Sequence, residues 1–327
     1  MRMRNWSVAA VLLLAGCSSV VGTPKPTIET FGLTLDQKTV SELEIASELR
    51  ELDPCALVDP DVATKLGELR LEPAPLYDLA DCTVAVGSNP APLNNTLIRL
   101  SFDTSTYLDE EDKEKVRGAT VYKGHSTSTD CSYAFPIELP LKEHYKPASG
   151  HKSKPVISAS VSDAVGVDPC DIARQILKKP IDYAKSLPAR DPADPWTRLA
   201  NAHPCAVARV LPHAVGATTV ESNSPFECTI DHETNERAVW FGSRRKADST
   251  GTGFTVVHKD GFELNVVDNH DTDGTCVAFY STDDEIDLNL PGKDRTEDGI
   301  VYPTIRVNAK CDEIADFAAN VIRAAGF

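Results

Sequence analysis

Basic side chains are scarce. Lys and Arg number 33 against 49 Asp and Glu, a formal charge of −16, and −18 if Arg2 and Arg4 leave with the N-terminal leader discussed below. This balance argues against a nucleic-acid binder, whose affinity rests on clustered cations that neutralise phosphates. It also argues against a body that adsorbs to anionic headgroups. After the first sixteen residues no apolar run approaches the roughly eighteen that a spanning helix requires. Catalytic signatures are missing as well: there is no G-x-S-x-G turn, no phosphate-cradling G-x-x-x-x-G-K-[ST] and no H-E-x-x-H helix. His232-Glu233-Thr234-Asn235-Glu236 comes nearest to the last but lacks the second histidine. The eight histidines include no i, i+4 pair, and no two cysteines form C-x-x-C. The expectation is a protein that is not an enzyme, with no cofactor and no nucleic-acid partner.

What is present begins with an export signal. Arg2 and Arg4 precede an apolar stretch from Val8 to Leu14, followed by small residues and a cysteine. The sequence Leu14-Ala15-Gly16-Cys17 resembles the bacterial lipobox, in which the cysteine sulfur receives a diacylglyceryl group and becomes the new N-terminus. Residues 1–16 then read as signal peptide and 17–32 as a lipidated tether containing Gly22, Pro24 and Pro26. Each buried CH₂ contributes roughly 0.8 kcal/mol, so two acyl chains anchor where one would not. The expected location is the extracytoplasmic face of a cell membrane, with the membrane as partner through Cys17.

Nine cysteines less Cys17 leave eight, in two quartets: Cys55, Cys82, Cys131, Cys170 and Cys205, Cys228, Cys276, Cys311. Their gaps are 27, 49 and 39, then 23, 48 and 35. The flanking residues repeat too. Asp53-Pro54-Cys55-Ala56 answers His203-Pro204-Cys205-Ala206, and Asp81-Cys82-Thr83-Val84 answers Glu227-Cys228-Thr229-Ile230. Cys131 and Cys276 each lie just before an Ala-Phe pair, and Cys170-Asp171-Ile172-Ala173 answers Cys311-Asp312-Glu313-Ile314-Ala315. A duplication predicts this pattern.

Each copy reads as a helix from its first cysteine to Gly67 or Gly216, then four or five antiparallel strands, then a helix from its last cysteine. Strands are predicted at Leu97–Phe102, Ala119–Tyr122, Val156–Val161, Ala238–Phe241, Phe254–Val257, Glu263–Val267 and Thr304–Val307. The expected fold class is α+β: two tandem homologous domains, each an antiparallel sheet with two helices packed on one face, stapled by two disulfides. Proline-rich Lys179 to Ala202 is too broken for a continuing helix, so the domains are placed at 33–187 and 188–327. Trp196, inside that junction, packs the domains together or lines a cleft between them. Four cysteines allow three pairings per domain; first with second and third with fourth ties each helix start to a strand.

Two binding candidates emerge. Asn269-His270-Asp271-Thr272-Asp273-Gly274 matches the first half of a calcium loop, with Asn269, Asp271 and Asp273 offering oxygens at alternate positions; the other reading is a solvated acidic hairpin. Trp240 and Phe241 are adjacent on a strand, so one faces the core and the other the opposite face, where Arg244 and Arg245 would complete a binding surface.

The lipobox, Asp-Pro-Cys-Ala-Leu at residues 53–57, the Cys-Thr strand, the later Cys strand and the final Cys helix together resemble a known family. It is the actinobacterial family of cell-envelope lipoproteins of unknown function, similar to the extracellular sensor domain of a mycobacterial receptor Ser/Thr kinase. The resemblance covers Leu52 to about Leu187 and, more weakly, Ala202 to Phe327. It implies a disulfide-stapled, non-catalytic domain with a binding cleft, serving an envelope component or small solute. The alternative is a scaffold lipoprotein of an envelope complex, and an envelope hydrolase comes third.

Overall fold

A computed structural model of the chain describes residues 31–33, 35–89, 91, 94–108, 112–140, 153–211, 218–222, 224–232, 235–249, 253–268, 274–293 and 295–327. Cys17 and the candidate calcium ligands Asn269, Asp271 and Asp273 lie outside them. The architecture is α+β with two antiparallel sheets and few helices. The first sheet contains β1 (Asp81–Val86), β2 (Thr96–Tyr107), β3 (Lys113–Val116), β4 (Ala119–Ser126), β5 (Cys131–Pro136) and β6 (Ser153–Ser162), in the order β1-β2-β6-β5-β4-β3. The second contains β7 (Thr218–Glu221), β8 (Glu227–His232), β9 (Asn235–Arg245), β10 (Thr255–Lys259), β11 (Phe262–Asp268), β12 (Thr275–Ser281), β13 (Ile286–Asp287) and β14 (Ile300–Lys310). Its order is β10-β11-β12-β14-β9-β8-β7, with β13 beside β14. Read from β8 to β10, the second order β8-β9-β14-β12-β11-β10 corresponds to the six strands of the first, with β7 and β13 additional. Register agrees with the cysteines: Cys82 faces Leu100 and Cys228 faces Val239, while Cys131 faces Val161 and Cys276 faces Ala309.

The helices are α1 (Gln37–Arg50), α2 (Pro60–Ala63), α3 (Pro169–Tyr183), α4 (Thr197–Ala200), α5 (Lys246–Ser249) and α6 (Ile314–Ala324). Two of them cover the sheets. α3 packs on β5 and β6, and α6 packs on β12 and β14. On α6, Ile314, Phe317, Ala318, Val321 and Ile322 are buried, the apolar stripe that helical spacing predicts. The four disulfides join Cys55 to Cys82, Cys131 to Cys170, Cys205 to Cys228 and Cys276 to Cys311, first with second and third with fourth in both halves. Three of the helical starts share one device: the side chain two residues before the cysteine accepts the cysteine's backbone N–H, from Asp53 at 2.8 Å, Asp168 at 2.9 Å and His203 Nδ1 at 3.1 Å. The intervening proline has no N–H of its own to leave unpaired.

Three elements differ from expectation. The helices expected after Cys55 and Cys205 are 3₁₀ turns, Cys55–Leu57 and Pro204–Arg209, with only α2 added in the first half. Asp59 precedes Pro60, which disfavours the helical conformation there, and Asp59 is extended at ψ 105°. In contrast, α3 continues through Pro180 to Tyr183, because the apolar face that includes Ile176, Leu177 and Pro180 stays buried. The third difference is α1, which no apolar stripe in the sequence predicts. Its buried residues Ser41, Leu43, Glu44, Ile45, Ala46, Leu49 and Arg50 lie around the helix, since it is held between β2 and β7 of different sheets.

One continuous apolar core runs through both sheets, and Trp196, 5% exposed, belongs to it. The junction is reciprocal. Thr104 on β2 donates to Ser222 O at 3.0 Å, and Ser243, the equivalent position on β9, donates to Pro75 O at 2.8 Å. Ser224 donates to Asp78 at 2.8 Å, two residues that occupy corresponding places ahead of β8 and β1. The donors Thr104 and Ser243 are equivalent, and the acceptors Ser222 and Pro75 lie one place apart in the matching segments, so the contact approaches an isologous interface. Arg50 adds a buried bond to Pro225 O at 3.0 Å, and burial lowers its pKa to about 10.

Candidate functional site

The side of the second sheet opposite α6 carries the cross-strand row Glu227, Trp240, Arg306 and Phe279 from β8, β9, β14 and β12. Gly242 and Arg244 follow Trp240 on the same face of β9, since alternate residues share a face. Phe241 points the other way and is 1% exposed in the core. Over this face comes segment 76–79 of the first half. Leu79 N–H donates to Phe241 O, and Asp78 bridges Gly242. The approach is so close that a Cβ on Gly242 would sit 1.9 Å from Tyr77 O. Glycine within a strand marks just such a backbone approach.

Between the segment and the sheet lies a cavity of about 340 Å³ lined by Leu76, Tyr77, Trp240, Arg244, Phe254 and Arg306, among others. That volume falls at the lower end of small-ligand sites. Its walls alternate cations and rings. Arg306 stacks 4.7 Å from the centre of the Trp240 ring, and Arg244 lies 4.3 Å from Phe254 and 4.6 Å from Phe279. The Trp240 indole donates to Glu227. Burial lowers the pKa of both arginines and raises that of Glu227. Thus Trp240 and Arg244 come together as a surface, Phe241 contributes only backbone, and Arg245 leaves the site to pair with Asp248 and Asp298. Arg306, Phe254 and Phe279 join the site only through the pairing of distant strands, which no local sequence pattern shows.

The corresponding face of the first sheet is different. Ser101, Asp103, Ser158 and Ala134 stand where Trp240, Gly242, Arg306 and Phe279 stand in the second. Its charge is concentrated toward the junction, where Asp81, fully buried, meets Arg99 at 2.7 Å. Burial lifts the Asp81 pKa to about 7 against the pull of Arg99, and burial raises Asp78 and Asp103 too. A carboxylate whose folded pKa is raised weakens the fold progressively as pH climbs from its unfolded value, near 4, through its folded value. Asp81→Asn is therefore expected to gain on the wild type by about 2 kcal/mol between pH 5 and pH 8, at 1.36 kcal/mol per unit with allowance for relaxation. His203, held well below 6.5 by burial, slopes the opposite way in acid in both proteins, so their difference isolates Asp81. Urea unfolding across this range measures it, and a pH-independent difference would place the Asp81 pKa in the ordinary range.

Two wider clefts, about 640 and 650 Å³, are lined largely by polar loop and rim residues such as Asn89, Asn94 and Asp163 or Lys246, Asp283 and Glu285. Asp268, Cys276 and Cys311 cluster closely enough for a metal, but the two sulfurs are bonded to each other and offer no thiolate. No helix among the described residues is long and apolar enough to cross a membrane. Four disulfides fit an oxidising, extracytoplasmic compartment. No protein-family model, no curated protein and no solved structure matches this chain.

Proposed function

We propose that this chain is a lipid-anchored, non-catalytic binding protein of the cell envelope, built from two copies of one disulfide-stapled unit, with its ligand held where the first copy closes over the second. The cavity under Tyr77 carries the reading. It combines apolar walls with a few converging polar groups, the usual make-up of a small-molecule site. The equivalent strand positions of the first copy are serine, aspartate and alanine, so duplication here supports one specialised site and one supporting unit. Similarity to an actinobacterial lipoprotein family with sensor-like domains fits a receptor of this kind, and Cys17 supplies its attachment to the membrane.

Native mass spectrometry of the protein extracted from the membrane fraction of its own host tests the proposal. A small co-purifying mass is expected with the wild-type chain, and none with Trp240→Ala combined with Arg306→Gln. Recovery from the medium alone would remove the anchor. A mass retained by the double variant would place the ligand elsewhere.

A further inference from the structure

We infer that the ligand of this cavity is a small organic anion, a flat apolar body bearing one carboxylate, gripped by Arg306 and Arg244. The inference rests on the cavity being the ligand site and names the chemistry it selects.

The cavity offers guanidinium donors and no unengaged carboxylate. Among the described residues Arg306 has no hydrogen-bonding partner; it is exposed, stacked on Trp240, and carries the five N–H donors of a guanidinium. Arg244 is 6% exposed, and its Nη2 donates to Asp248 O at 2.6 Å while Nη1 is buried with no partner. The acids on the wall are occupied. Asp248 accepts from Arg245 at 2.8 and 2.7 Å, and Asp78 accepts from Ser224 and from Ala80 N–H, both at 2.8 Å. Glu227 accepts from the Trp240 indole and is not part of the lining. An incoming cation would meet two guanidiniums and no unengaged carboxylate, whereas an anion would find the open donors of Arg306 and, behind them, the fixed charge of Arg244. Arginine forks suit carboxylates, which take two parallel N–H bonds.

Ring geometry selects the remainder of the ligand. Trp240, Phe254 and Phe279 are three flat walls, two of them already engaged edge-to-face at 6.1 Å, and Tyr77 stands 51% exposed at the rim. Flat walls favour a flat body, because offset stacking needs planar area on both sides. In a chain of formal charge −16 the two arginines and two aspartates of the lining make this a locally balanced spot, where an anion meets less repulsion than over the acidic remainder.

Isothermal titration of the full mature chain with 2-naphthoate, 2-naphthalenemethanol and decanoate tests the inference. Naphthoate is expected to bind at least about tenfold more tightly than the neutral alcohol, the usual worth of a charge-assisted hydrogen bond. Arg306→Gln should remove that advantage, leaving the alcohol within about twofold of its wild-type affinity. Arg117→Gln, in the turn between β3 and β4 of the first half, should change neither. Equal binding of acid and alcohol to the wild type would overturn the anion and leave the cavity as a ligand site. Decanoate binding more tightly than naphthoate would overturn the flat body. Binding by none of the three would overturn both this inference and the cavity on which it rests.

Discussion

Gly242→Val is expected to lower the free energy of unfolding by about 3 kcal/mol and to abolish binding in the cavity. The new Cβ would stand 1.9 Å from Tyr77 O and 2.9 Å from Tyr77 C. Those atoms are backbone, so no rotamer change relieves the clash. Segment 76–79 must lift instead. Lifting it breaks the Leu79 N–H bond to Phe241 O and strains the Ser243 bond to Pro75 O and the Ser224 bond to Asp78. It also uncovers Leu76 and Leu79, now 2% and 0% exposed. Overpacking costs roughly 1–3 kcal/mol and each lost buried hydrogen bond about 1 kcal/mol, partly offset as the loop finds water. Gly124→Ala is the control: its Cβ meets only the tip of Ser132, at 2.5 Å, which can rotate away, and the loss should stay under about 1 kcal/mol. Urea unfolding of the two variants decides the matter. Equal losses would mean that segment 76–79 does not press on β9.

The same glycine shows what was legible in the sequence. The duplicated cysteine frame and most strands could be read because they are local: spacing, flanking text and runs of β-branched residues need no knowledge of the remainder of the chain. Even the Trp240 and Phe241 alternation follows from strand geometry alone. What could not be read depends on partners. Helix α1 shows no apolar stripe because Leu43, Ile45, Ala46 and Leu49 are buried between two sheets rather than on one. Arg306, Phe279 and Trp240 become neighbours only through the register of β9 with β14 and of β14 with β12. The roof of the cavity comes from residues 76–78, far away in sequence. A signal existed, since Gly242 interrupts an otherwise bulky strand, and an isolated strand glycine calls for a backbone that comes close.

Removing the bond between Cys131 and Cys170 by paired alanine substitution is expected to cost roughly 4 kcal/mol, on the chain-entropy estimate for a loop of 39 residues. Its counterpart between Cys276 and Cys311 closes 35 residues, and because the dependence is logarithmic the expected loss is nearly the same. Each bond fixes the entry to a covering helix, α3 or α6, against a central strand of its sheet. The two lie in different sheets and share no partner, so their losses should add to within about 0.5 kcal/mol. Together they amount to roughly 8 kcal/mol, comparable to the whole stability of an ordinary domain, about 5–15 kcal/mol. The fourfold alanine variant is therefore expected to be largely unfolded at 25 °C although each pair alone remains folded. Urea unfolding of the three variants checks the sum. A single-pair loss below about 1.5 kcal/mol would show that the apolar faces of α3 and α6 hold the sheets without the staple, and the dependence of this fold on an oxidising compartment would fall with it.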